Sequence, residues 1–89
     1  MERTQKAEII ANWLIEEAKK TEIYNEYVQE ELFEAVVGFD WEEVENEFGR
    51  LDSEDRAEVL YRLEAYHDVY IIENGGNEPD FDLHLDLTQ

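Results

Sequence analysis

Apolar side chains recur at Ile10, Trp13, Leu14 and Ala18 with the three-and-four spacing of a helix, which predicts a first helix over about 4–20 with Thr4 as its N-cap. Lys19 and Lys20 fall in its last turn, where cations suit the helix dipole, and Glu16 stands one turn ahead of Lys20 as an ion-pair partner. A second helix is expected over about 22–37, with Gly38 as its stop. At about 100° per residue, Tyr24, Val28, Leu32, Ala35 and Val36 share one arc, the expected core stripe. Asp40-Trp-Glu-Glu43 has the form of a capping box and opens a short helix over about 40–48, with Trp41, Val44 and Phe48 on one side and Gly49 at its end. Asp52 or Ser53 caps a fourth helix over about 53–73, with Leu60, Leu63, His67 and Tyr70 on one stripe and an i,i+4 pair between Glu58 and Arg62.

The end of that fourth helix reads two ways. Asn74-Gly75-Gly76 serves as its C-cap, or the β-branched run Val69-Tyr-Ile-Ile72 is already a strand. Over about 80–87 the period changes to two, with Phe81, Leu83, Leu85 and Leu87 alternating against Asp80, Asp82, His84 and Asp86, the pattern of a half-buried strand. A lone strand leaves its backbone unsatisfied, so this tail pairs with 69–72, pairs with another chain, or lies over the helices. The expected fold is a mainly α single domain over 1–89, a bundle of about four helices with an extended or β-like tail packed by its apolar face. A short hairpin, and with it an α+β fold, is the alternative.

Composition supports a folded domain. The 43% apolar content and eleven aromatics are those of a globular chain, and 89 residues make one domain with a shallow core. The chain has no Cys, and so neither disulfide nor thiolate metal site. No apolar run approaches membrane-spanning length and the N-terminus lacks a secretory pattern, which leaves a cytoplasmic protein as the expectation.

Charge changes the picture more. The net charge is −18, and it is blocked along the chain. Residues 1–20 carry four acids and four bases, and residues 50–62 carry four acids and three bases. Residues 21–49 hold ten acids and residues 63–89 hold seven, with no Lys or Arg in either stretch. Adaptation to high salt spreads charge over the whole surface, so a salt-adapted domain of unknown role is kept only as an alternative.

Within the first acidic block Glu22, Glu26, Glu30 and Glu34 stand four apart. On a helix this stacks like charges at a cost of roughly 0.2–0.5 kcal/mol per pair, which suggests a ladder kept for a partner. Ile23, Phe33 and Val37 fall within the acidic arc with Tyr27 at its edge, either packing under the next helix or forming an apolar centre rimmed by carboxylates. Glu42, Glu43 and Glu47 extend the surface onto the short helix; early carboxylates suit its positive end, but Glu47 lies too late for that account.

Other chemistry is weakly encoded. Ser53 is the single serine and sits at a helix cap, and the many carboxylates single out no acid–base pair. Glu64-Ala-Tyr-His67 has the Glu-x-x-His spacing of di-iron bundles, so a metal-binding helical oligomer, a homodimer completing the ligand set, is a further alternative; a hydrogen-bonded core histidine is the simpler account. Asp80, Asp82, His84 and Asp86 could hold a cation, but charges that keep a strand soluble explain them more directly. No cofactor is implied.

Direct nucleic-acid binding is disfavoured, because Lys and Arg contacts to phosphate dominate such affinity. The inverse is expected instead: a preorganised carboxylate array fits the basic groove that another protein uses for phosphates. In size, acidity and helix content the chain resembles two groups of small inhibitors: phage DNA mimics, among them anti-restriction and anti-CRISPR proteins, and the immunity proteins that block nuclease toxins. The Tyr-Tyr-Pro stretch of the colicin DNase immunity proteins is absent, Pro79 being the one proline. Leu32-Phe-Glu-Ala35 after Glu30-Glu31 is similar to a ubiquitin-interacting helix, but Phe39 stands where that motif needs Ser.

The expected function is therefore a non-enzymatic inhibitor of phage or mobile-element type. It would block the basic nucleic-acid site of a nuclease, CRISPR effector or restriction enzyme through Glu22, Glu26, Glu30, Glu34, Glu42, Glu43 and Glu47, with Tyr27 and Phe33 as anchors. An immunity protein or antitoxin that binds a basic toxin is the alternative.

Overall fold

The computed structural model describes residues 2–23 and 34–86. Its elements run α1 (Arg3–Ile23), β1 (Glu34–Phe39), α2 (Trp41–Phe48), α3 (Ser53–Tyr66), β2 (Val69–Glu73) and β3 (Phe81–Asp86). Among the described residues this is an α+β fold, three helices with a three-stranded antiparallel sheet of order β1-β3-β2, and not a bundle of about four helices.

The largest correction lies at 34–37. These residues were expected to finish a helix, yet they form β1, which pairs with β3 from Glu34↔Asp86 to Phe39↔Phe81. The short apolar run fits either period. A partner strand 40 or more residues away decides it by burying Val37 and Phe39 against the core. Gly38 is accordingly no helix stop. A Cβ there would lie 2.5 Å from Cγ of Pro79, so glycine is required by the proline ring packed over the strand. Gly38→Ala is expected to cost about 1–3 kcal/mol through overpacking, read as a lowered melting temperature.

The fourth helix also ends earlier than expected, at Tyr66 and not at 73, and the β-branched run beyond it is β2. β2 pairs with β3 in a hairpin, Val69↔Leu85 through Glu73↔Phe81. Asn74-Gly75-Gly76 turns that hairpin instead of capping a helix. The Asn74 Nδ2 donates to the Pro79 carbonyl at 2.7 Å and to Asp82 Oδ2 at 3.0 Å, and Gly75 and Gly76 take φ of 57° and 91°.

Caps and ion pairs differ in detail. Helix α1 starts one residue before Thr4, so Thr4 is helical and not its cap. Asp40 precedes α2 but its side chain does not cap it; the expected box with Glu43 is absent. Asp40 Oδ1 instead accepts from Asp80 N–H at 3.0 Å, and Asp80 Oδ2 accepts from Trp41 N–H at 2.8 Å. This reciprocal pair joins the start of α2 to the start of β3 and satisfies one of the helix's orphan donors from across the fold. The capping box is found at α3, where Asp52 and Asp55 accept each other's backbone N–H. Lys20 pairs with Glu17 at 3.2 Å, not with Glu16, and Arg62 reaches Glu8 of α1 at 3.7 Å, not Glu58.

One core joins both layers. From α1 it takes Ala7, Ile10, Ala11, Leu14, Ile15 and Ala18, and from α3 Val59 and Leu63. Trp41 and Val44 enter from α2, and Phe81, Leu83 and Leu85 from the central strand. Phe81 lies under Trp41 with ring centroids 4.8 Å apart and stacks on Phe39 at 5.8 Å. Trp13 and Phe48 close the edge with a T-shaped contact at 5.4 Å.

Candidate acidic interaction surface

The two acid-rich, base-free stretches of the sequence supply the three strands and the helix α2, which is tied to β3 and also packs on α1 and α3. Strand β1 and helix α2 come from 34–48, and the hairpin β2–β3 from 69–86; the ladder between β1 and β3 and the Asp40–Asp80 pair bind them together. All seven Lys and Arg residues lie outside these four elements, on α1, on α3 or at Arg50. The fold thus converts a charge blocked along the chain into a charge divided between two groups of elements, α1 and α3 (the helical layer) and the sheet with α2 (the acidic layer).

Basic residues of the helical layer are largely matched within it. Arg3 meets Asp52 at 3.5 Å, Glu54 at 2.7 Å and Asp55 at 3.0 Å, Arg62 meets Glu8, and Lys20 meets Glu17. Among the described residues the bridge from helical layer to acidic layer is Arg56 to Glu45, at 3.2 Å. The hydrogen bond from Arg3, followed by that from the Asp52 N–H, holds the Asp55 carboxyl below its ordinary value of 3.8, and the same contact raises the Arg3 guanidinium. A depressed carboxylate adds stability above its unfolded pKa and loses it as pH falls through the folded value. Asp55→Asn is therefore expected to melt below the parent protein at neutral pH. The gap should close as the pH is taken below the carboxylate range, which paired thermal melts across pH will check.

The residues expected to form the surface are only partly brought together. Glu42, Glu43 and Glu47 project from α2 into solvent, and among the described residues none of them has an ion-pair partner, while Trp41 and Val44 of the same helix are buried. Glu22 lies in the last turn of α1 and Glu34 opens β1, so the four-residue ladder does not run along one helix. Glu26, Glu30, Tyr27 and Phe33 lie outside the described residues.

Within one chain the Glu64 and His67 of the metal alternative are not brought together as a ligand pair. Glu64 is helical, whereas His67 follows the helix in extended backbone, and the two line different grooves. Among the described residues no three His, Asp or Glu gather as ligands. Of the strand residues, Asp80 serves Trp41, Asp82 accepts from Asn74, and His84 stacks on Tyr70.

Two features were not anticipated. A groove of about 870 Å³ runs between α2, α3 and the end of β2, floored by Trp41, Leu51 and Leu60. The Arg56 guanidinium lies 5.4 Å above the Trp41 ring there, with Nη2 on Glu45 and a buried Nε that finds no partner. The second is the outer sheet face. Val36, His84 and Tyr70 are cross-strand neighbours, as are Gly38, Asp82 and Ile72, and these rows face away from the core. In the sequence Tyr70 and Ile72 sit in an unbroken apolar run, so no contrast marked which of them turns outward.

Comparison with protein-family models, with curated proteins and with solved structures found no match. Among the described residues no helix is long and apolar enough to cross a membrane.

Proposed function

We propose that this protein is a non-enzymatic acidic inhibitor, acting in the cytoplasm, that occupies the basic nucleic-acid site of another protein, of nuclease, CRISPR-effector or restriction-enzyme type. The observation that carries this reading is the division of charge between layers: the sheet and α2 present carboxylates with no Lys or Arg among them. A surface of one sign focuses field lines towards a cationic partner and repels nucleic acid and anionic membrane alike. Glu42, Glu43 and Glu47 stand on a helix whose inner side is locked by Trp41 and Val44, so their presentation to a partner costs little ordering entropy.

The test is capture from host lysate at low and high salt, followed by elution with duplex DNA. Captured proteins should be nucleic-acid-binding, and DNA should displace them. Proteins that stay bound under excess DNA would favour an immunity protein or antitoxin that binds beside an active site. Association should also be electrostatically steered: fast at low salt, approaching ~10⁸ M⁻¹s⁻¹, and falling steeply towards physiological ionic strength. A rate indifferent to salt would remove the acidic layer as the contact surface.

A further inference from the structure

The core packs against one face of the sheet, through Val37, Phe39, Phe81, Leu83 and Leu85. The opposite face leaves Val36 56% exposed and Tyr70 and Ile72 each 48% exposed. Single exposed apolar residues are ordinary, but these three are contiguous across the strands, joined through His84, whose ring stacks on Tyr70 at 4.2 Å and 14°. Carboxylates border them: Asp82, half-buried on the same face, and exposed Asp68 just before β2.

We propose that this sheet face anchors the partner, and that its occupant is a basic protein segment with an apolar centre, arginine-rich on its flanks. The inference rests on the acidic-inhibitor reading and specifies the partner of the same layer. Charge selects the occupant. The face is built wholly from strands without Lys or Arg, so a second copy of this chain would set like charges against each other. Nucleic acid would do the same. A basic segment instead gains the carboxylate border, while its apolar centre covers Val36 and Ile72. An apolar centre with a polar rim is also the arrangement that gives a charged surface selectivity among cations.

The experiment uses two synthetic peptides of equal charge, one with arginines flanking a Leu-Trp-Leu centre and one with the same arginines flanking Gly-Ser-Gly. The full chain should bind the apolar-centred peptide at least about tenfold more tightly at physiological salt. Tyr70→Ser with Ile72→Ser should abolish that ratio and leave the Gly-Ser-Gly peptide bound as before, with Val36→Ser as a second variant on the other edge strand. Equal binding of the two peptides by the parent protein, or a ratio that survives both variants, would overturn the anchor and leave the acidic-inhibitor reading standing. Failure to bind either peptide at low salt would overturn that reading itself. Concentration-dependent dimerisation of the parent that the variants lose would assign the face to a second copy, and so overturn the proposal.

Discussion

Leu83→Asp is expected to abolish the cooperative thermal transition. Leu83 is fully buried in the central strand, with Val37 in register on one side and Ile71 on the other. Removing its side chain alone costs about 2–5 kcal/mol, as Leu83→Ala should show. The aspartate adds the desolvation of a carboxylate for which the core offers no cation, several kcal/mol more, or forces its protonation. A chain of 89 residues at ~0.05–0.15 kcal/mol per residue holds only about 4–13 kcal/mol in all. Both edge strands also depend on β3 for their hydrogen bonds, so its loss is not confined to one strand. The control is Ile72→Asp on the neighbouring strand. It faces outward and should cost no more than about 1 kcal/mol in strand preference. Circular dichroism melts of the two variants separate the buried face from the open one. If Leu83→Asp melted like the parent protein, the tail strand would not be the centre of the sheet.

That strand was the most legible part of the chain, because strict alternation at 81–85 marks one face without reference to any other segment. The inward positions Phe81, Leu83 and Leu85 are all buried. The first helix was legible for the same reason at its own period, with Ile10, Leu14 and Ala18 buried, and Gly49 and Asp52 bound their helices as their chemistry suggested. Legibility failed where a short apolar run carries both periods. Val36-Val37-Gly38-Phe39 satisfies a helical arc and a strand alternation equally, and the choice is made by pairing with a segment more than 40 residues away. Val69-Tyr-Ile-Ile72 could be read as a strand, but its inward and outward residues could not be told apart, which hid Tyr70 and Ile72 as a surface. Charge blocking was visible in the sequence. That both acidic blocks supply one sheet was not, since it depends on the order β1-β3-β2.

Reversing the charge of α2 should separate binding from stability. The triple variant Glu42→Lys, Glu43→Lys, Glu47→Lys replaces three exposed carboxylates that have no ion-pair partner among the described residues. The helix dipole gives these changes opposite signs in stability. Glu42 and Glu43 occupy the first turn, where lysine is unfavourable by about 0.3–1 kcal/mol each, whereas Glu47 lies in the last turn, where lysine is favourable by a similar amount. Relief of self-repulsion in a chain of net charge −18 acts with the second effect. The triple variant should thus fold within about 1 kcal/mol of the parent, and Glu47→Lys alone should melt at the same temperature or higher. Binding to a basic partner should move the other way. At roughly 1 kcal/mol for each attraction turned to repulsion, the triple variant loses about 3 kcal/mol, close to two orders of magnitude in Kd, and Glu47→Lys about fivefold. Melting and partner affinity measured on the same preparations decide the matter. A loss of affinity that tracks unfolding would make these carboxylates structural. Full affinity in a stable triple variant would place the contact elsewhere in the acidic layer. A Glu47→Lys protein that is more stable and binds more weakly is the outcome that a surface maintained for a cationic partner requires.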